Sequence, residues 1–194
     1  MVPVINNYTV EIESEFADEI KTESGIKLYR DTTFNPENYA QTNGTVTAVP
    51  RYSNLPLDIV PGDQIYFSYQ VVMDWELRDN DTPIHRNMLF YKGKKYWTVH
   101  NSFIYFRVRN DSIKMLNDYM LLDIIEEEVQ STIIVPDHLK KQKLIGSAYV
   151  VKSGDDKVAV TSDTVFYDKR FVEVYELFNK EYYLLHKKRI LAKL

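Results

Sequence analysis

Chemistry needs side chains that ionise, ligate or attack, and in this chain of 194 residues they are sparse and scattered. There is no cysteine, and the four histidines are His85, His100, His138 and His186. They show no metal-ligand spacing, and without cysteine the thiolate partners of a zinc site are missing. No glycine-rich phosphate loop, HExxH, GxSxG elbow or kinase signature occurs. Asp79-Asn80-Asp81 starts like a calcium loop but lacks the glycine and the distal glutamate of an EF-hand. Glu126-Glu127-Glu128 reads as a solvated acidic run. The expectation is therefore a protein with no catalytic residues, no metal and no cofactor. Two apolar islands remain as candidates, Ile26-Lys27-Leu28 and Ile133-Ile134-Val135, each set among polar neighbours. An exposed apolar patch in a polar loop usually marks an interaction site. Periodicity alone leaves a second reading open, in which each island is the inward face of a short strand.

Charge and composition narrow the partners. Net charge is −4 and the only basic cluster is Lys187, Lys188, Arg189 and Lys193 at the C-terminal end, which argues against a nucleic-acid binder. Apolar residues are 44% and charged residues 27%, as in ordinary globular proteins and unlike disordered or fibrous chains. No apolar run approaches the roughly 20 residues of a membrane helix, and MVPVINNYTVEIESE shows no secretory pattern. The absence of cysteine suits a reducing compartment, so a cytoplasmic protein is expected, away from membranes.

The elements that would position the islands read as strands. Tyr occurs 15 times and Phe 9 times, with abundant Val, Ile and Thr, types that favour a pleated, half-buried surface. Alternation marks Tyr8 to Glu13, with Tyr8, Val10 and Ile12 inward and Thr9, Glu11 and Glu13 facing water. It also marks Thr45 to Val49, and Gln64 to Tyr69 after the turn Pro61-Gly62-Asp63. Further strands are expected at Tyr96–Val99, Phe103–Val108, Met120–Ile125, Ser147–Val151, Val158–Val160, Phe171–Leu177, Tyr182–Leu185 and Ile190–Leu194. Tyr91 to Trp97 reads as a hairpin around Gly93. No stretch keeps a helical stripe, so the fold class is all-β, a barrel or a sandwich.

Internal repetition organises these strands. Tyr8 to Glu15 lies under Tyr119 to Glu126, and Gly25 to Asp31 under Thr132 to Asp137. Gly44 to Val49 answers Gly146 to Val151, and Gly62-Asp63 answers Gly154-Asp155. Tyr105 to Ile113 lies without gaps under Tyr183 to Leu191. Five pairs in one order indicate two tandem copies, about 8–116 and 119–194, giving domains 1–117 and 118–194. The first copy is longer by an insertion at about 73–103.

The ordered set resembles the co-chaperonin (GroES, chaperonin-10) family, as two consecutive copies. Copy two carries Glu126-Glu127-Glu128, Thr132 to Asp137, Gly146, Gly154-Asp155, Glu181 to Leu185 and Ile190-Leu191-Ala192. Copy one carries Glu19 to Leu28, Gly44 to Val49, Leu57 to Asp63 and Phe103 to Leu116. The resemblance implies two tandem partly open β-barrels, a homo-oligomeric ring that caps a chaperonin, and mobile loops. The hydrophobic tripeptides of those loops, Ile26-Lys27-Leu28 and Ile133-Ile134-Val135, would dock on the chaperonin apical domains. Ordering such a loop opposes binding, so single contacts are weak and a ring recovers affinity by effective concentration. Copy one departs from the pattern in placing Lys27 inside its tripeptide, and copy two lacks the usual loop glycines. A second reading is a structural or assembly protein, for example of a phage particle, that keeps the barrel without the chaperonin contact. The insertion's Trp75 and Trp97 could face a client or pack on their own domain.

Overall fold

The computed structural model describes residues 3, 5–13, 19–21, 27–29, 40–77, 83–125, 145–154 and 157–194. The chain divides into two compact units, Met1–Ile113 and Lys114–Leu194.

The period-two runs of the first unit pair as a seven-stranded sheet, whose last strand, Ser112–Met115, runs past the boundary at Ile113. Its strands are β1 (Asn7–Glu11), β4 (Asn43–Ala48), β5 (Gln64–Phe67), β8 (Met88–Tyr91), β9 (Lys94–His100), β10 (Ile104–Arg109) and β11 (Ser112–Met115). The order across the sheet is β8-β9-β1-β4-β5-β10-β11. Two small ribbons stand apart, β2 (Glu19–Lys21) with β3 (Lys27–Tyr29), and β6 (Trp75–Leu77) with β7 (Pro83–His85). In the second unit β12 (Tyr119–Ile124), β13 (Ile145–Ser153), β14 (Thr164–Asp168), β15 (Glu173–Leu177), β16 (Lys180–His186) and β17 (Ile190–Lys193) form one sheet, ordered β15-β16-β12-β13-β14-β17. Neither sheet closes into a barrel.

Leaving out β11, which has no counterpart in the second sheet, the two orders match: hairpin, central strand, two antiparallel neighbours, returning strand. The irregularities coincide as well. β1 slips register against β4 between Thr9 and Val10, and β12 slips against β13 between Leu121 and Leu122. The returning strands β10 and β17 each carry a bulge against β5 and β14. A three-residue 3-10 turn follows each hairpin, at Asn101–Phe103 and Lys187–Arg189, capped by the ring of His100 or His186. Both hairpins close through two residues of positive φ, Lys92-Gly93 and Phe178-Asn179, the geometry that matches strand twist.

These registers correct the residue pairing expected from sequence. Tyr8 pairs with Val99 and Met120 with Leu185, each one place after the capping histidine's partner, so Tyr8 corresponds to Met120 rather than Tyr119. Val46 stands opposite Val10, and Val150 opposite Leu122, which moves Gly44 onto Ala148 rather than Gly146. The counterpart of Gly62-Asp63 is Ser162-Asp163, not Gly154-Asp155. Gly62 N–H donates to Val46 O (2.8 Å) and Ser162 N–H to Val150 O (2.7 Å). Ser162 takes the same left-handed backbone as Gly62, φ 78° against 95°, which hid it from a search for glycine. Val158 to Val160 is accordingly the approach to this turn and not a strand, while Thr164–Asp168 and Ser112–Met115 are strands absent from the expected set. Ile104 to Arg107, not Tyr105 onward displaced by eight, answers Ile190 to Lys193.

The extra chain of the first unit lies between Phe67 and Met88, since β8 to β10 all have counterparts; the expected insertion reached too far, to residue 103. It contains a helical turn at Gln70–Met73 that buries Val71 and Val72. Asn87 Nδ2 donates to Val71 O (3.0 Å), and Thr98 N–H to Asn87 O (2.7 Å), which sews this segment to β9. Trp97 is buried in its own unit, its ring edge-on to His85 at 5.3 Å. The side chain of Trp75 lies outside the described residues.

The core of the first unit centres on Val10, Ile65, Phe67, Trp97, Val99, Ile104 and Phe106. Met120, Leu122, Ala148, Val150, Val165, Tyr167 and Leu185 fill the second. Each Val, Leu, Ile, Met or Phe among them contributes about 2 kcal/mol on burial. Thr9 departs from the expected outward face: it is buried, because β1 is covered on both sides, and its hydroxyl finds no partner among the described residues.

Candidate functional site

The central strand of each sheet leads into a long connection before its antiparallel neighbour. β1 ends at Glu11 and β4 begins at Asn43; β12 ends at Ile124 and β13 begins at Ile145. Both candidate tripeptides fall on these connections. In the first, β2 and β3 form a ribbon in which Ile20 stands opposite Leu28 and Lys21 opposite Lys27. Lys27 and Leu28 therefore belong to β3, which among the described residues pairs with β2 alone. A two-stranded ribbon alone is at best marginally stable in water. Ile26, Ile133, Ile134 and Val135 lie outside the described residues.

The connections spring from a rigid frame. Where β4 meets the turn before β5, Val46 N–H donates to Asp63 O (2.8 Å), and Val60 N–H donates to Asp63 Oδ2 (2.8 Å). Arg109 grips the same carboxylate through Nε and a terminal nitrogen (2.6 and 2.7 Å). Burial by itself raises the Asp63 carboxyl. The Arg109 and Val60 hydrogen bonds, with the charges of Arg109 and Arg107, outweigh it and hold the pKa below the ordinary carboxylate value. Arg107, itself buried, donates to Asp58 O (2.6 Å) and Asp58 Oδ2 (2.7 Å). The second unit repeats the device more simply: Val150 N–H donates to Asp163 O (2.9 Å) and Val160 N–H to Asp163 Oδ2 (2.9 Å), with Lys193 Nζ 3.4 Å away. Sequence reasoning missed Asp163. The signal that could have found it is Asp-Thr-Val-Phe-Tyr at 163–167, which carries the polar and apolar order of Asp-Gln-Ile-Tyr-Phe at 63–67.

Among the described residues no group of three His, Cys, Asp or Glu could hold a metal ion, and no helix is long and apolar enough to cross a membrane. His100 and His186 serve as caps, and the imidazole of His85 lies 3.2 Å from Val72 O. His138 lies outside the described residues.

Comparison with known proteins agrees with this arrangement. Residues 112–194 match the family model of the chaperonin 10 kDa subunit, a span that begins with β11 and takes in the whole second sheet. The chain is 33% identical over 84 residues to the co-chaperonin GroES of Borreliella burgdorferi, covering 42% of this chain and 93% of that protein. It is 32% identical over 84 residues to the co-chaperonin GroES of Borreliella afzelii, with the same coverage. The chain belongs to the co-chaperonin family. The matched span contains the sheet β15-β16-β12-β13-β14-β17, and six strands of the other sheet, β8-β9-β1-β4-β5-β10, follow a matching order.

Proposed function

We propose that this chain is a tandem co-chaperonin: two GroES-like copies, 1–117 and 118–194, acting in the cytoplasm as a lid on a chaperonin that assists protein folding. Ile26-Lys27-Leu28 and Ile133-Ile134-Val135 contact the apical domains of the chaperonin, and the chain itself hydrolyses no nucleotide. Copies associate into a homo-oligomeric ring, so that several weak contacts act together. The observation that supports this reading is the strand order that the two sheets share apart from β11, in which the chain between β1 and β4 and the chain between β12 and β13 join equivalent strands. Family membership supplies the partner class.

Capture by an immobilised chaperonin with nucleotide tests it. The wild-type chain is retained, and the double variant Leu28→Ser with Ile134→Ser is lost. Retention of the double variant removes the tripeptides from the contact. No capture of the wild type by any chaperonin returns the protein to a structural or assembly role.

A further inference from the structure

A cleft of about 250 Å³ opens on the sheet of the second unit, walled by Tyr167, Lys169, Val172, Val174 and Tyr183. Its floor is the core itself: Tyr167 is 1% exposed, and Val172 and Tyr183 pack against the same cluster. Two polar groups in its wall are unspent. Among the described residues the Tyr167 hydroxyl has no hydrogen-bond partner and the Lys169 ammonium no counter-ion. Gly146 brings the two together. It stands opposite Tyr167 in the β13–β14 ladder, and a Cβ there would fall 2.7 Å from the Tyr167 hydroxyl oxygen and 2.8 Å from Lys169 Cε. Only a residue without a side chain lets the phenol and the lysine stem share that spot. The nearby carboxylates are already engaged. Asp168 accepts from Arg170 Nε (2.9 Å) and a terminal nitrogen (2.6 Å), and Glu173 accepts from the Tyr175 hydroxyl (3.1 Å). Burial, with Tyr183 close by, pushes the Tyr167 hydroxyl above its ordinary value, so at neutral pH it keeps its proton and can donate. The first unit lacks these features: the registers set Thr42 and Phe67 where the second unit has Gly146 and Tyr167.

We propose that this cleft binds a small organic anion, a carboxylate carried on an apolar, ring-sized body. The Lys169 ammonium and the Tyr167 hydroxyl take the carboxylate, while Val172, Val174 and the Tyr183 ring cover the body. A wall that is mostly apolar, with a few convergent polar groups, is what small-molecule sites share. A dry cavity of about 150 Å³ accepts benzene, so the volume here suits a molecule of about ten non-hydrogen atoms. The unpaired ammonium disfavours cations, and a neutral molecule of the same shape gains the apolar walls without the charge-assisted hydrogen bond.

Titration of the full chain with phenylacetate at neutral pH, followed by two-dimensional amide NMR, reads this site. Saturable shifts at Gly146, Tyr167, Lys169 and Val174 are the expected result. Phenylacetamide, which has the shape without the charge, and acetate, which has the charge without the ring, each bind about tenfold more weakly or less. Lys169→Met weakens phenylacetate about tenfold and leaves phenylacetamide unchanged. Tyr167→Phe installs the residue that the first unit carries at this place and weakens phenylacetate roughly fivefold. Gly146→Ala crowds the phenol and the lysine stem and weakens both ligands. Lys169 is exposed, so its variant supplies the reading should a change at Tyr167 or Gly146 disturb the core. Absence of saturable shifts overturns the inference, as do shifts confined to other parts of the chain or equal binding of the acid and the amide. Nuclear Overhauser contacts from the Tyr167 ring to a further segment of the ligand-free chain also overturn it, by showing the cleft filled from within. None of these readouts involves a chaperonin, so failure of the lid and failure of this site are told apart.

Discussion

Asp63 and Asp163 perform one task in two units. Each carboxylate accepts the N–H of the residue three places earlier, at 2.8 and 2.9 Å, and each lies beside a cation of the returning strand, Arg109 or Lys193. They differ in burial, since the Asp63 side chain is 2% exposed and that of Asp163 21%. Asp63→Asn should cost about 2 kcal/mol, because it removes the negative charge facing Arg109 and turns an amide NH2 towards the donors of Arg109 or Val60 in a half-covered site. Asp163→Asn should cost less. Urea unfolding of both variants measures the difference.

The same carboxyls set the acid limit. Asp63 and Asp163 have folded pKa values below the ordinary one, and Arg170 holds Asp168 down to about 2. On acidification the unfolded chain takes up these protons first, so stability is complete above the ordinary carboxyl range and falls as pH drops from about 4 to about 2. Asp168→Asn should flatten the lower part of that fall. Thermal unfolding at a series of pH values tests it.

Thr9 buries a hydroxyl with no described partner at the position where the second unit has Leu121. Thr9→Val keeps the shape and removes the desolvated oxygen. It should stabilise the chain by about 1 kcal/mol, read as a higher urea midpoint with unchanged slope.

Phe178 holds φ at 54° at the tip of β15–β16, a conformation that bulky residues adopt at a cost, and its ring is largely exposed. Phe178→Asn, which gives the turn a residue suited to that region, should raise stability by about 1 kcal/mol. A lower midpoint would mean that the ring contributes more in place than its backbone costs.

On the proposed function, a chaperonin with nucleotide should slow amide exchange within 17–31 and 127–142 and leave the β5 and β14 amides unchanged. Hydrogen-exchange mass spectrometry distinguishes this from binding through the sheets, which would protect the strands instead.

Much of this was legible in the residues. The runs Tyr8 to Glu13 and Gln64 to Tyr69 marked strands that the structure bounds at Asn7–Glu11 and Gln64–Phe67, and the hairpin around Gly93 followed from its turn residue. The order of weak motifs was enough to suggest the family before any comparison. The pairing of one repeat with the other was not legible to the residue. Side chains on a strand alternate, so Tyr8 set against Tyr119 instead of Met120 exchanges the faces of the whole strand, and a shared aromatic type favoured the wrong choice.

Local chemistry in the chain determined that this is a β protein with a repeated plan and a tripeptide on each long connection, because period-two burial and turn preferences act over a few neighbours. Tertiary structure alone decided which turn answers which, since Ser162 reaches a glycine-like backbone only when Val150 and Asp163 hold it there. It also decided the order of the strands on either side of β1 and β12. Those are pairings between residues distant in the chain, and backbone hydrogen bonds between strands carry no trace in any one strand's own sequence.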